Sequence, residues 1–412
     1  MRAAAGVWVR CASSRTEESI LTERAPAKRR AWSWRSRAAR GLLYQALALL
    51  AVAAGVWFLA HNTQQNMQVR GIQSGFDFLR QAAGFDIGET MIAYDPSQSY
   101  GRAIWVGVLN TLRVAVVGIV LTTVLGVLIG VGRFSRNALV RGLCYGYVEL
   151  FRNVPVLLQL LMWYLFFVEV LPQPQEALNV GHLFFLSKGG FAFPVPVWAA
   201  GHAWAAVGAL LGLGVGAWWR RRAQRLFEQT GQERNRWAVP VLAVLVLALL
   251  GWLAGGAPAQ WSVPVQQAFM VDGGVSATPE FLSVLVGLVI YTAAFVAEVV
   301  RGGIQSVSHG QTEAASALGL SRKHTMRLVV LPQALRVIIP PMTNQYLNLT
   351  KNSSLAVAIG YPDVVSIANT TLNQSGRAVE CIAIIMLVYL STSLSTSLLM
   401  NWYNQRVAIK ER

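Results

Sequence analysis

The chain has 412 residues, 54% of them hydrophobic and only 13% charged, which is too apolar for an ordinary soluble protein. A formal net charge of +16 raises the question of nucleic acid, but the placement of the basic residues answers it otherwise. Cys11, Cys144 and Cys381 are scattered and suggest neither a disulfide framework nor a metal cluster.

In chain order, residues 1–41 form a polar, basic tail carrying Arg24, Lys28, Arg29, Arg30, Arg35, Arg37 and Arg40. The apolar run at 42–60 is long enough to cross a bilayer, and no small-residue cleavage site clearly follows it, so it reads as a retained anchor. A polar external loop then leads to residue 103. Further spans are expected near 104–131, 143–170, 196–219, 238–256, 279–300, 341–360 and 381–400, giving about eight transmembrane helices. The runs are continuously apolar, without the alternation of lipid-facing strands, so an all-α polytopic membrane protein is expected rather than a barrel.

Basic clusters punctuate these spans: Arg133, Arg136 and Arg141; Arg220, Arg221, Arg222 and Arg225; Arg322, Lys323 and Arg327; Arg406, Lys410 and Arg412. With the N-terminus inside, these and the tail all fall on the cytoplasmic side, as the positive-inside rule requires. The C-terminus is then cytoplasmic too, and no nucleic-acid partner is needed to explain the charge. Loops around 61–103, 171–195, 257–278 and 361–380 are poorer in Lys and Arg. The expected organisation is a tail at 1–41, a first span and loop at 42–103, a transmembrane domain at 104–401 with helices inserted at 171–278, and a tail at 402–412.

Residues 301–332 form a polar island between two strongly apolar stretches. Ser308 and Gln311 have capping-box spacing, and Glu313, Ala314, Ala315, Ala317 and Leu318 are good helix formers. Gly319 suits the left-handed turn that ends a helix, Ser321 suits the cap of the next, and Pro332 is expected to stop or bend it. Small side chains at 314, 315 and 317 would let another protein approach the backbone closely. Without further information the same pattern also describes an ordinary interfacial hairpin.

The spacing Glu313-Ala314-Ala315, Gly319, Val329, Leu331-Pro332 resembles the cytoplasmic coupling loop of ATP-binding-cassette (ABC) importer permeases, with valine in the isoleucine place. Asn110-Thr111-Leu112, YVELFRNVPVLLQLL at 147–161, YTAAFVAEVVRGGIQSV at 291–307 and NQYLNLTKNSSLA at 344–356 extend the resemblance over about half the chain. They are similar to permeases for histidine, arginine, glutamine and other polar L-amino acids, in the long form with extra length between core helices two and three. The resemblance implies a type I importer fold with a five-helix core in the bacterial inner membrane. It also implies an ABC ATPase dimer carrying ATP and Mg, a second permease subunit (a related chain rather than a second copy), a periplasmic amino-acid-binding protein and surrounding lipid. No cofactor is expected on this chain.

The chain holds no phosphate-binding loop, no metalloprotease spacing and no nucleophile elbow, so catalysis by this polypeptide is not expected. Charges inside spans are costly and mark functional candidates. Asn344, Asn348, Lys351 and Asn352 recur at helical spacing, with Lys351 roughly 15 Å beyond Pro341. Such a face offers an ammonium and amides to a substrate carboxylate. Glu149, Arg152, Gln159 and Glu298 complete the expected polar lining, with either carboxylate suited to a substrate ammonium. The alternative is that these groups pair with one another and hold the bundle together. An ion-coupled carrier or channel working without ATP would use the same intramembrane charges and is the competing function.

Overall fold

The structure is a computed structural model that describes residues 37–69, 71, 74–231, 235, 237–267 and 270–407. Most of the tail read over 1–41, Cys11 and residues 408–412 with Lys410 and Arg412 lie outside the described residues. The chain divides into two compact units, Met1–Gly71 and Ile72–Arg412. In the first unit, α1 (Arg37–Val69) is a single long apolar helix.

The second unit begins with a loop that packs on its own bundle. Phe78, Ala83 and Ile87 are buried with Tyr100, Ala103 and Ile104 of α2 (Tyr100–Gly132) and with Ile367 and Cys381. α2 lies along α7 (Pro279–Gln305), and small residues set their separation. A Cβ on Gly126 would stand 2.5 Å from Val296 Cγ1, and one on Gly130 would stand 2.8 Å from Val300 Cβ. Close helix approach of this kind supplies packing where lipid gives no hydrophobic drive. Gly126→Leu is therefore expected to cost about 2 kcal/mol or more by overpacking and to lower the yield of monodisperse permease on size exclusion. Gly142→Leu, where nothing lies within 4 Å, should leave that yield unchanged.

The span expected at 143–170 is broken. α3 (Ala138–Asn153) and α4 (Val156–Leu165) meet at 104° across Val154-Pro155. Pro155 drives the preceding residue out of the helical region, and Val154 sits at φ −97°, ψ 128°. The expected span at 341–360 is likewise part of something longer. α10 (Leu331–Asn352) runs through both Pro340 and Pro341, continues as a 3₁₀ turn over Ser353–Ile359, and bends by 51° into α11 (Val364–Ser375). α12 (Ala378–Val407) closes the bundle. Among the described residues, five helices are long and apolar enough to span a membrane, or seven if each bent pair counts as one span. The eighth expected span is the shorter apolar helix α6 (Ala238–Ala254), just under the length of a full crossing.

The insertion forms an antiparallel hairpin of α5 (Ala200–Thr230) and α6, which pack on one another. A Cβ at Gly208 would lie 2.0 Å from the Leu247 carbonyl oxygen, so the two backbones are in direct contact. Sequence reading left the flanking segments as loops. They form a small antiparallel sheet with order β1 (Leu178–Val180), β2 (Phe184–Ser187), β3 (Gly190–Phe193) and β8 (Val275–Ala277). Phe191 pairs with Ala277, so strands from before and after the hairpin are stitched together at its base.

Candidate coupling and translocation site

Two regions at opposite ends of α7 and α10 carry the functional candidates. The first is the 301–332 segment. α8 (His309–Ala317) begins at Ser308, whose backbone has cap geometry but whose side chain makes no capping bond, so the expected capping box is not formed. Gln311 instead accepts a hydrogen bond from Gln333 at 3.2 Å, tying α8 to the start of α10. Gly319 has φ +73°, and its N–H and that of Leu320 donate back to Ser316 and Ala315, closing the helix as expected.

Ser321 Oγ accepts from the His324 amide and caps α9 (Arg322–Thr325). Pro332 does not stop the following helix. It lies in the first turn of α10, and the turn before it, Met326–Val330, is widened to a π-helix. A proline offers no N–H to the preceding turn, and widening that turn lets the helix pass through. Arg322 to Asn352 is consequently one continuous helical rod.

Glu313, Ala314, Ala317 and Gly319 are exposed, and Leu318 is 81% exposed. Ala315 is the exception among the small residues: it is buried beneath α8 and supports the helix rather than presenting a surface. Glu313 stands 3.5 Å from His309. Leu331 is exposed and Pro332 half-buried on the far side of the turn.

Close to this segment, Glu298 on α7 holds three guanidinium groups. Arg133 at the end of α2 lies 2.5 Å away, Arg152 at the end of α3 lies 3.8 Å away, and Arg301 pairs with it one turn on. Glu298 and Arg152 thus face one another as an ion pair. Gln159 is buried and donates to the carbonyls of Phe151 and Val154, so it clamps the break between α3 and α4 instead of lining a path. Glu149 is exposed and has no ion-pair partner among the described residues.

The second region is the opposite end of α10. Ala334, Ile338, Met342, Tyr346 and Leu349 are buried against α7 and α2, and Tyr346 shares a 2.8 Å hydrogen bond with Thr123. The other face leaves Asn344, Asn348 and Lys351 exposed, with Asn352 half-buried. The expected polar face is present, and no carboxylate pairs with Lys351 among the described residues. α10 starts ten residues before Pro341, so Lys351 lies roughly 30 Å along the helix, in its last turn. The helix carbonyls there favour a cation.

Sequence reading missed a third constellation because its members come from distant loops. Arg113 of α2 pairs with Glu89 and stacks 3.9 Å over Phe281. Glu89 also accepts from Thr278, the N-cap of α7, at 2.6 Å. Asn110 donates to the carbonyls of Glu89 and Pro362, and Tyr361 donates to Asn110. Arg113 and Asn110 at helical spacing within an apolar run were the available signal.

Residues 235–409 match the family described as binding-protein-dependent transport system inner membrane component. The chain is 45% identical to the general L-amino acid transport system permease protein AapQ of Rhizobium johnstonii, over 96% of this chain and 100% of the relative. It is 47% identical to the putative amino-acid ABC transporter permease protein YhdX of Escherichia coli, over 90% of this chain and 95% of that one. It is 39% identical to the glutamate/glutamine/aspartate/asparagine transport system permease protein BztB of Rhodobacter capsulatus, again over 90% and 95%. These matches favour an ATP-driven permease over an ion-coupled carrier. The chain belongs to the amino-acid permease family of ABC importers, as a multi-pass inner-membrane subunit that is not itself an ATPase.

Proposed function

We propose that this permease moves L-amino acids of several kinds inward, and that α8 and α9 are where a partner ATPase dimer drives it. The observation that carries the reading is the joining of two surfaces by one element. An exposed ridge, Glu313 to Gly319, ends in a turn that feeds the Arg322–Asn352 rod, and that rod bears the exposed Asn344, Asn348 and Lys351. ATP and Mg act on the partner, a periplasmic binding protein delivers the substrate, and a second, related permease covers the polar face of α10. By the positive-inside rule, both chain termini are cytoplasmic. The names of the relatives support the substrate class.

Lys351 attracts the substrate carboxylate, with Asn344 and Asn348 accepting and donating hydrogen bonds beside it. In proteoliposomes holding the complete importer, Lys351→Ala is expected to reduce amino-acid uptake at least about tenfold, the loss of one charge-assisted hydrogen bond. Lys351→Arg should retain part of it. Unchanged uptake kinetics in Lys351→Ala at full expression would assign that lysine a structural role.

A further inference from the structure

The α5–α6 hairpin holds a groove that the transport reading does not use. It has a volume of about 470 Å³ and runs along the half of the hairpin next to the turn between α5 and α6. Gly212, Gly216 and Pro240 make its floor, Leu213 and Leu245 its walls, and Arg220 its end. The lining is apolar apart from that arginine. Neither helix makes an extended contact with any other helix among the described residues, so no other helix of the bundle roofs the groove.

Arg220 is exposed, and its guanidinium lies 4.1 Å over the Trp237 ring, which fixes it without neutralising it. Arg221, Arg222 and Arg225 follow on α5, and the stretch from Arg220 to Arg236 carries six arginines against two carboxylates, Glu228 and Glu233. An apolar trough between two apolar helices, closed at one end by a cation that has no ion-pair partner among the described residues and is followed by further arginines, suits a lipid with an anionic head. Basic pockets between helices at a membrane face are suited to such headgroups.

We propose that this groove is a binding site for an anionic phospholipid, with an acyl chain over Gly212 and Gly216 and the headgroup phosphate on Arg220. The apolar walls hold the chain, and the positive end selects the head. Occupancy anchors the hairpin in its leaflet.

The test is native mass spectrometry of the purified full-length permease, titrated separately with phosphatidylglycerol and phosphatidylcholine of the same chains. Wild type should retain phosphatidylglycerol in preference to phosphatidylcholine. Arg220→Gln should weaken phosphatidylglycerol roughly fivefold, the effect of one basic residue at an anionic surface. Ala217→Phe, which fills the groove from an exposed lining position, should displace both lipids. Arg225→Gln, on the same basic segment but outside the groove, should change little. Equal binding of the two lipids by wild type would overturn the proposal. So would equal losses in Arg220→Gln and Arg225→Gln, which would indicate a diffuse basic surface. Lipid binding indifferent to Ala217→Phe would mean that something else, such as another subunit's helix, occupies the groove.

Discussion

Gly319→Pro is expected to abolish amino-acid uptake while the permease still inserts and assembles. Gly319 adopts φ +73° and donates its N–H to Ser316. Proline is locked near φ −65° and has no N–H, so the turn between α8 and α9 must open at a cost of about 3 kcal/mol. The exposed ridge would then no longer be held in register with the rod that begins at Arg322. Uptake in proteoliposomes should fall at least tenfold, more than the roughly fivefold that 1 kcal/mol represents. Gly319→Asn, which tolerates the left-handed region, should retain most of the activity. Glu313→Lys, on the exposed face of α8, should also uncouple uptake without unfolding the chain. Normal uptake in both Gly319→Pro and Glu313→Lys would sink the coupling assignment.

Glu89→Ala is expected to produce the largest loss of stability. Glu89 is 8% exposed and accepts from Arg113 and Thr278, and Arg113 has Phe281 beneath it. Removing the carboxylate leaves a half-buried guanidinium with an aromatic face and no counter-charge, at a cost of about 3 kcal/mol. The midpoint of thermal aggregation in detergent should drop by several degrees. The double variant Glu89→Ala/Arg113→Met should recover much of that drop, because replacing both members of a buried pair is far less costly than orphaning one. A single variant as stable as wild type would show that the pair contributes nothing to the fold.

These two sites differ in how far the sequence reveals them. The coupling segment is local: its cap, its glycine and its proline lie within about 25 residues, so spacing alone exposes them. Even there the outcome at Pro332 was hidden. A proline signals a stop, and only the π-helical turn at Met326–Val330 shows how the chain passes it. The Val154-Pro155 break was masked for a different reason. The apolar run continues across it, and hydropathy does not register a 104° change of direction.

Gln159 looked like a polar group facing a pathway because its bonding to Phe151 and Val154 depends on that break. The polar face of α10 was legible because helical spacing places Asn344, Asn348 and Lys351 together whatever surrounds them. The Glu89–Arg113–Thr278 cluster was not, since its members are up to 189 residues apart and meet only through tertiary packing. The small sheet is not legible in the sequence because its strands are three or four residues long, too short for alternation to register.

The uninterrupted run from Arg322 to Asn352 also has a mechanical consequence. At the helical rise its 31 residues measure roughly 46 Å, and a tilt of about 5° applied at the Ser321 end displaces the Lys351 end by roughly 4 Å. That is more than the length of a hydrogen bond. On the proposed coupling, a small angular step at the Ser321 end is geared up to a displacement large enough to make or break contact with a bound amino acid, with no intermediate joint needed to enlarge it.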